Sequence, residues 1–177
     1  GLLKDHIDGV MKIKADTPIS RINYIIWSDV FECGNCAADL IFWNAFYNDK
    51  TNKLDDSAHC VICSSTQTKK SMQRKFIAEF DVHLDMVVQI AKQVPVVIDY
   101  INPKGQRKQK QADEMDLRLI EYIKTVGKKE KVHDLSVGIN TEQPRKSHGV
   151  NYIHQFYTAR NYIVLNNLRS IAKKSQY

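Results

Sequence analysis

"FECGNC", Phe31–Cys36, and its counterpart "HCVIC", His59–Cys63, hold every cysteine of the chain and govern how the rest is read. Cys33 and Cys36, then Cys60 and Cys63, form two C-x2-C pairs separated by 23 residues. Two residues between thiols let a tight turn aim both sulfurs at one tetrahedral ion, and two such turns close its shell. A disulfide pair is the weaker reading in a reducing compartment, and a redox C-x-x-C would not account for two. Catalytic zinc keeps an open position, and the zinc deaminases carry an H-x-E and a P-C-x-x-C pattern; this chain has neither. His59 adjoins Cys60 but is read as a bystander, because four thiolates already fill the shell. The expectation is a structural zinc ribbon, with Zn2+ on Cys33, Cys36, Cys60 and Cys63 contributing folding free energy rather than chemistry.

The flanking residues support a ribbon. "RINYIIWSDVFE", leading into the first pair, alternates as a strand, with Ile22, Tyr24 and Ile26 on one face and Ile25 and Trp27 on the other. After it, "DLIFWNAFYNDKTNKLDD" reads as a second strand that falls into an Asn/Asp/Lys-rich hairpin turn. Past Cys63, "SSTQTKKSMQRK" carries Lys69, Lys70, Arg74 and Lys75 with no acid, either a solvated linker or a phosphate-facing arm. "FIAEFDVHLDMVVQIAK" fits a helical stripe and also alternates, so helix and strand both stay open.

Further on the pattern sharpens. "VPVVIDYI" is a strand and "NPKG" a turn, and "QRKQKQ" is the returning strand, so Lys104, Arg107, Lys108 and Lys110 lie on a projecting basic hairpin. Edge-strand lysines that discourage aggregation are the competing explanation. "ADEMDLRLIEYIKTVGKK" is a helix with Asp113 at its N-cap and Met115, Leu119, Ile120 and Ile123 as its buried stripe, closed by Lys124 and Gly127. Residues 128–149 read as a polar loop. A final amphipathic helix starts at the cap Thr158 and runs through Ile163, Leu165, Leu168 and Ile171, with Arg160, Arg169, Lys173 and Lys174 outward. The expected fold is therefore α+β: the β-hairpins of a four-cysteine zinc ribbon joined to a small mixed domain with a basic hairpin and two or more helices. The expected divisions are a lead-in over 1–17, a zinc-ribbon module over 18–66, a mixed α/β segment over 67–150 and a C-terminal helix over 151–177.

With 177 residues, 43% hydrophobic and 26% charged, the chain is long enough for one core, and its composition excludes general disorder. No run approaches the ~18 apolar residues of a membrane helix, and Lys4, Asp5 and Asp8 break the opening stretch as a signal peptide, so a cytoplasmic protein without a membrane partner is expected. The start at Gly1 reads as a piece of a longer chain. The net charge of +6 is uneven: six Lys/Arg against nine Asp/Glu through Ile62 give −3, and twenty against eleven from Cys63 onward give +9. Such a split points to a polyanion, or to lysines that simply keep a surface soluble.

Three stretches in order, "INYIIWSDVFECGNCAADLIFWNAF" with "CVIC", "VPVVIDYINPKGQRKQKQADEMDLRLIEYI" and "HGVNYIHQFYTARNYIVLNNL", resemble the middle segment of bacterial site-specific, adenine-modifying DNA methyltransferases. The likeness covers most of the chain from about Pro18 onward. That family places a Gly-rich F-x-G-x-G S-adenosylmethionine motif earlier and a D-P-P-Y type catalytic motif later. Neither occurs here: the four prolines never pair, no G-x-G exists, and Asn102-Pro103 is followed by Lys104. The resemblance thus implies a target-recognition segment without catalytic or cofactor-binding residues, partnered by double-stranded DNA and by the remainder of a parent methyltransferase, which alone would bind S-adenosylmethionine. Lys69, Lys70, Arg74, Lys75, Lys104, Arg107, Lys108, Lys110 and Arg160 are the candidate DNA contacts, with Arg74 and Arg107 preferred for base edges because a guanidinium can pair bidentately with guanine. His154, Phe156, Tyr157 and Arg160 either pack a helix entry or meet the parent's core or an extruded base. A zinc-stabilised protein-interaction module with no nucleic-acid role is the alternative from another class.

Overall fold

A computed structural model describes residues 20–126 and 131–175. The lead-in over 1–17 and the helix-closing Gly127 lie outside the described residues. In chain order, the elements begin with β1 (Arg21–Glu32), β2 (Asp39–Ile41), α1 (Phe42–Phe46), β3 (Tyr47–Asn48), β4 (Lys53–Leu54), β5 (Ser57–His59), β6 (Thr66–Thr68) and β7 (Gln73–Arg74). There follow β8 (Phe76–Asp81), β9 (Met86–Ala91), β10 (Gln93–Ile101), β11 (Arg107–Lys110), α2 (Glu114–Val126), α3 (Ile139–His148), a 3-10 turn (Ile153–Phe156) and α4 (Ala159–Lys174). The architecture is α+β, as the sequence implies.

One long strand organises the molecule. β1 pairs antiparallel with β10 from Arg21↔Ile101 to Asp29↔Gln93, and its far end turns to β2 and β7 through Glu32↔Asp39 and Glu32↔Gln73. β10 continues outward to β11, giving the order β11-β10-β1-β2 with β7 also on β1. The strands exchange partners at one point. Val30 N–H donates to the Lys92 carbonyl, Lys75 N–H to the Val30 carbonyl and Lys92 N–H to the Lys75 carbonyl, so no backbone group is lost where β1 leaves β10. Beyond that junction β8 and β9 form their own hairpin, Phe76↔Ala91 to Asp81↔Met86. Strand geometry therefore resolves the helix-or-strand ambiguity of "FIAEFDVHLDMVVQIAK", whose Asp81 accepts from the N–H groups of His83 and Leu84 in the turn.

Three expectations need correction. The aromatic run after the first cysteine pair does not continue as a strand, because Phe42–Phe46 and Trp43–Tyr47 stand at i, i+4 and their rings stack at 4.7 and 4.1 Å. That spacing meets on a helical turn rather than along a strand, and it buries Phe46 completely. The hairpin there shrinks to β3 and β4. Residues 139–148, expected as loop, form α3 despite the internal Pro144; it ends at Gly149, whose φ of 72° lets its N–H reach the Arg145 carbonyl. A Cβ at Gly149 would lie 2.2 Å from the Gln89 carbonyl oxygen, so glycine is needed there for closeness to β9 as well. Finally, the stripe expected to bury α4 does not do so: Leu165, Leu168 and Ile171 are exposed, as is Met115 on α2. The expected caps do form, since Thr158 Oγ1 accepts from Asn161 N–H at 3.4 Å and Asp113 Oδ1 from Asp116 N–H at 3.0 Å.

Candidate metal centre and basic surface

The two cysteine pairs are turns of matching hairpins. The first joins β1 to β2 and the second joins β5 to β6. In each, the N–H four residues after the first cysteine returns to its carbonyl, Ala37 to Cys33 and Ser64 to Cys60, both at 2.9 Å. Each cysteine N–H in turn donates to the carbonyl five residues on, Cys33 to Ala38 and Cys60 to Ser65. The residue after each second cysteine is left-handed, with φ of 57° at Ala37 and 58° at Ser64. This repeated backbone geometry brings sulfurs 24 to 30 residues apart in sequence to one point, with Cys33 and Cys60 buried and Cys36 exposed.

All four sulfurs lie within 4.8 Å of one another, and Cys33–Cys63 and Cys36–Cys60 are each 3.7 Å apart. Four thiolates at ~2.3 Å from a tetrahedral ion stand roughly 3.8 Å from each other, so the geometry is that of a closed ligand shell. The electrostatics agree. The Asn35 side chain and then Ser65 pull the Cys63 thiol down to about 5. At Cys36 the Ala38 N–H favours the thiolate, but the neighbouring Cys63, Cys33 and Cys60 sulfurs and burial outweigh it and push that thiol up to about 12. Crowded sulfurs of unequal charge are what a central cation relieves. The four cysteines are thus positioned to hold a metal ion in a zinc-ribbon-like arrangement, and His59 is exposed and outside the ligand group.

Sequence reading missed the polar layer beneath the sulfurs. Buried Gln67 accepts the Gly34 N–H at 3.0 Å and donates to Ser65 Oγ at 2.7 Å, and that hydroxyl lies 3.0 Å from Cys63 Sγ. Gly34 is held so close that a Cβ would meet the Ser71 carbonyl oxygen at 2.3 Å. The apolar support is the cluster of Phe31, Leu40, Phe46 and Met72 around Cys33 and Cys60. Only the position of Gln67 in the strand leaving the second pair hints at such a role, since Ser65 and Ser71 are local partners but Gly34 is 33 residues away.

The candidate basic residues fall into two groups. Arg74 is inward: its Nη2 pairs with Asp29 at 2.7 Å, its Nη1 donates to the Ser147 carbonyl at 2.8 Å, its guanidinium lies over Phe31, and its side chain is only 19% exposed. Lys75 bridges Asp39 and Glu32, and Lys110 bridges Asp113 and Asp116. Lys69 lies 5.8 Å from the Phe42 ring, and neither it nor Lys70, Lys104 or Lys108 makes an ion pair among the described residues. Among the described residues Arg160 reaches the Ile22 carbonyl alone, at 3.5 Å. Arg107 is 66% exposed and rests on Asp99. Lys104, Arg107 and Lys108 therefore gather at the β10–β11 turn, where Asn102 closes the loop by accepting the N–H groups of Lys104 and Gln106. The 12 residues of β1 run between this turn, which its N-terminal end meets at Arg21↔Ile101, and the cysteines beyond its C-terminal end.

Buried His154 places its Nε2 2.7 Å from Asp81 Oδ2, joining the 3-10 turn to the β8–β9 hairpin, and the His83 and Tyr162 rings pack beside it. Phe156 and Tyr157 remain about half exposed. Among the described residues no helix is long and apolar enough to cross a membrane. Compared with known proteins, the chain matches no family model, no curated protein and no solved structure.

Proposed function

We propose that this chain is the DNA-binding target-recognition segment of a site-specific N6-adenine methyltransferase, with a structural Zn2+ on its four cysteines. The observation that carries the reading is the cluster of Lys104, Arg107 and Lys108 on a rigid hairpin, with a single carboxylate among them that serves to hold Arg107. Lys104 and Lys108, without an ion pair among the described residues, suit phosphate contact from this ladder, and such contacts release counterions on binding. The three-part sequence resemblance supplies the methyltransferase context, and a tetrathiolate shell suits zinc. S-adenosylmethionine and the reacting adenine belong to the rest of the parent chain. Measuring duplex binding against salt tests this: affinity should fall steeply between low and moderate salt, and absence of binding to any duplex at low salt overturns it. The coding sequence on either side should also contain the F-x-G-x-G and D-P-P-Y type motifs.

A second reading is supported by the exposed apolar side chains of α4 and of the β8–β9 hairpin, Leu165, Leu168, Ile171, Phe80, Met86 and Val87. On it, the chain is a zinc-stabilised protein-interaction module, and binding would be insensitive to polyanions. Retention of a protein partner together with salt-independent failure on DNA would favour this second reading.

A further inference from the structure

The outer face of the β1–β10–β11 sheet carries a polar cluster that packing alone does not require. Tyr24, Asp99 and Gln109 stand in register across the three strands, and Arg107 is two residues from Gln109 on the same face. A register shift between Ile22 and Tyr24 frees Asn23 from the ladder, and its side-chain amide donates to Asp99 Oδ1 at 2.8 Å. Asp99 also accepts from Arg107 Nε at 3.0 and 3.1 Å and from Gln109 Nε2 at 3.1 Å, and it has no access to solvent.

The consequence lies in which hydrogens of Arg107 are used. Asp99 takes the Nε–H, and the Tyr24 hydroxyl lies 3.4 Å from Nη2, with the guanidinium 5.9 Å from the Tyr24 ring. The Nε–H is thus committed to Asp99, Nη2 keeps a second hydrogen beyond the Tyr24 contact, and Nη1 makes no hydrogen bond among the described residues. The end-on fork, one hydrogen from each terminal nitrogen, is left on a side chain 66% exposed. A fork held by a buried carboxylate has lost its rotamer freedom before a ligand arrives, so less ordering is left to oppose binding. The matching ligand is a rigid pair of acceptors, and guanine O6 and N7 at the major-groove edge supply that pair. Arg74, the other arginine of interest in the sequence, has both terminal nitrogens engaged by Asp29 and Ser147 and cannot act this way.

Resting on the DNA-binding reading above, we infer that Arg107 reads one guanine edge in duplex DNA, and that Asp99 and Tyr24 are positioning residues that hold its fork for that contact. The test is selection from a randomised duplex pool with the 177-residue chain, followed by affinity measurements on the enriched duplex and a scrambled one. The chain should enrich sequences with guanine at one fixed position. Arg107→Lys, which keeps the positive charge on an exposed side chain, should weaken the enriched duplex by about 5- to 150-fold, the range for one lost bidentate arginine–guanine pair, and weaken the scrambled duplex far less, so that the ratio between the two collapses. Folded Asp99→Asn and Tyr24→Phe should relax the preference at that same position, with unchanged circular dichroism and metal content. An enriched site whose guanine preference survives Arg107→Lys overturns the inference while leaving DNA binding standing. Unaltered preference in folded Asp99→Asn and Tyr24→Phe overturns the positioning role. No binding to any duplex at low salt overturns both this inference and the function beneath it.

Discussion

The two ends of β1 are built on different principles. At its C-terminal end, Phe31 and Cys33 enter a cluster with Leu40, Phe46, Cys60 and Met72, where four cysteines positioned to hold a metal ion, a buried glutamine and a small apolar group join several very short strands. At its N-terminal end, β10 and β11 carry the hairpin 102–106 into solvent, and polar side chains and cations replace the core. β3, β4 and β7 have two residues each and β2, β5 and β6 three, too few to bury much apolar surface, so the cysteine end needs coordination bonds to be rigid. The hairpin end is supported otherwise, because eight of the nine residues of β10 pair with β1. The contrast teaches that a metal held by the four cysteines would act on the fold of its own lobe, whereas the basic hairpin is fixed by the β1–β10–β11 ladder.

Removing the metal is the harshest way to break that contrast. Chelation, or Cys60→Ser, should abolish cooperative melting of the region around β2 to β7, while backbone amides of β10 opposite β1 keep measurable protection from hydrogen exchange. Uniform loss of protection through both ends would show that the ion supports the whole molecule. Next in size is Phe46→Ala, which empties a fully buried site next to Cys60 and should cost about 3–5 kcal/mol in urea denaturation. A loss under about 1 kcal/mol would mean that the aromatic turn α1 is not part of this core.

A smaller effect lies between the ends, where His148 faces Asp29 and Arg74. Burial first, and then the Arg74 charge, hold the imidazole below its ordinary range against the pull of Asp29. His148 is therefore neutral near pH 7, and its 3.8 Å approach to Asp29 is not an ion pair there. Because the folded value is the lower one, the contribution to stability is complete above the unfolded value of ~6.5 and is lost as pH falls through the folded value. His148→Gln should flatten the stability profile just below a pH of about 6.5 relative to the parent, read from denaturation midpoints; parallel profiles would contradict the assignment.

What the sequence made legible follows the range of the interactions. The cysteine shell is written in two short turns, so C-x2-C spacing specifies it almost alone, and the caps Asp113 and Thr158 are equally local. β1, β10 and β11 were legible from alternation and the Asn-Pro-Lys-Gly turn. Charges were not. Arg74 meets Asp29 across 45 residues and Lys75 meets Asp39 across 36, so a run of cations that reads as one arm is divided by partners no local pattern reveals. Likewise α3 hid behind Pro144, and the α4 stripe, apolar in sequence, leaves Leu165, Leu168 and Ile171 exposed among the described residues.

The decisive question is where nucleic acid meets this molecule. The slope of log affinity against log salt should be measured for duplex binding by the parent chain and by Lys104→Gln/Lys108→Gln, with metal content followed in parallel. Loss of two phosphate contacts predicts a slope shallower by about 2 with the metal retained. An unchanged slope would contradict the assignment of the β10–β11 hairpin as the DNA-facing end.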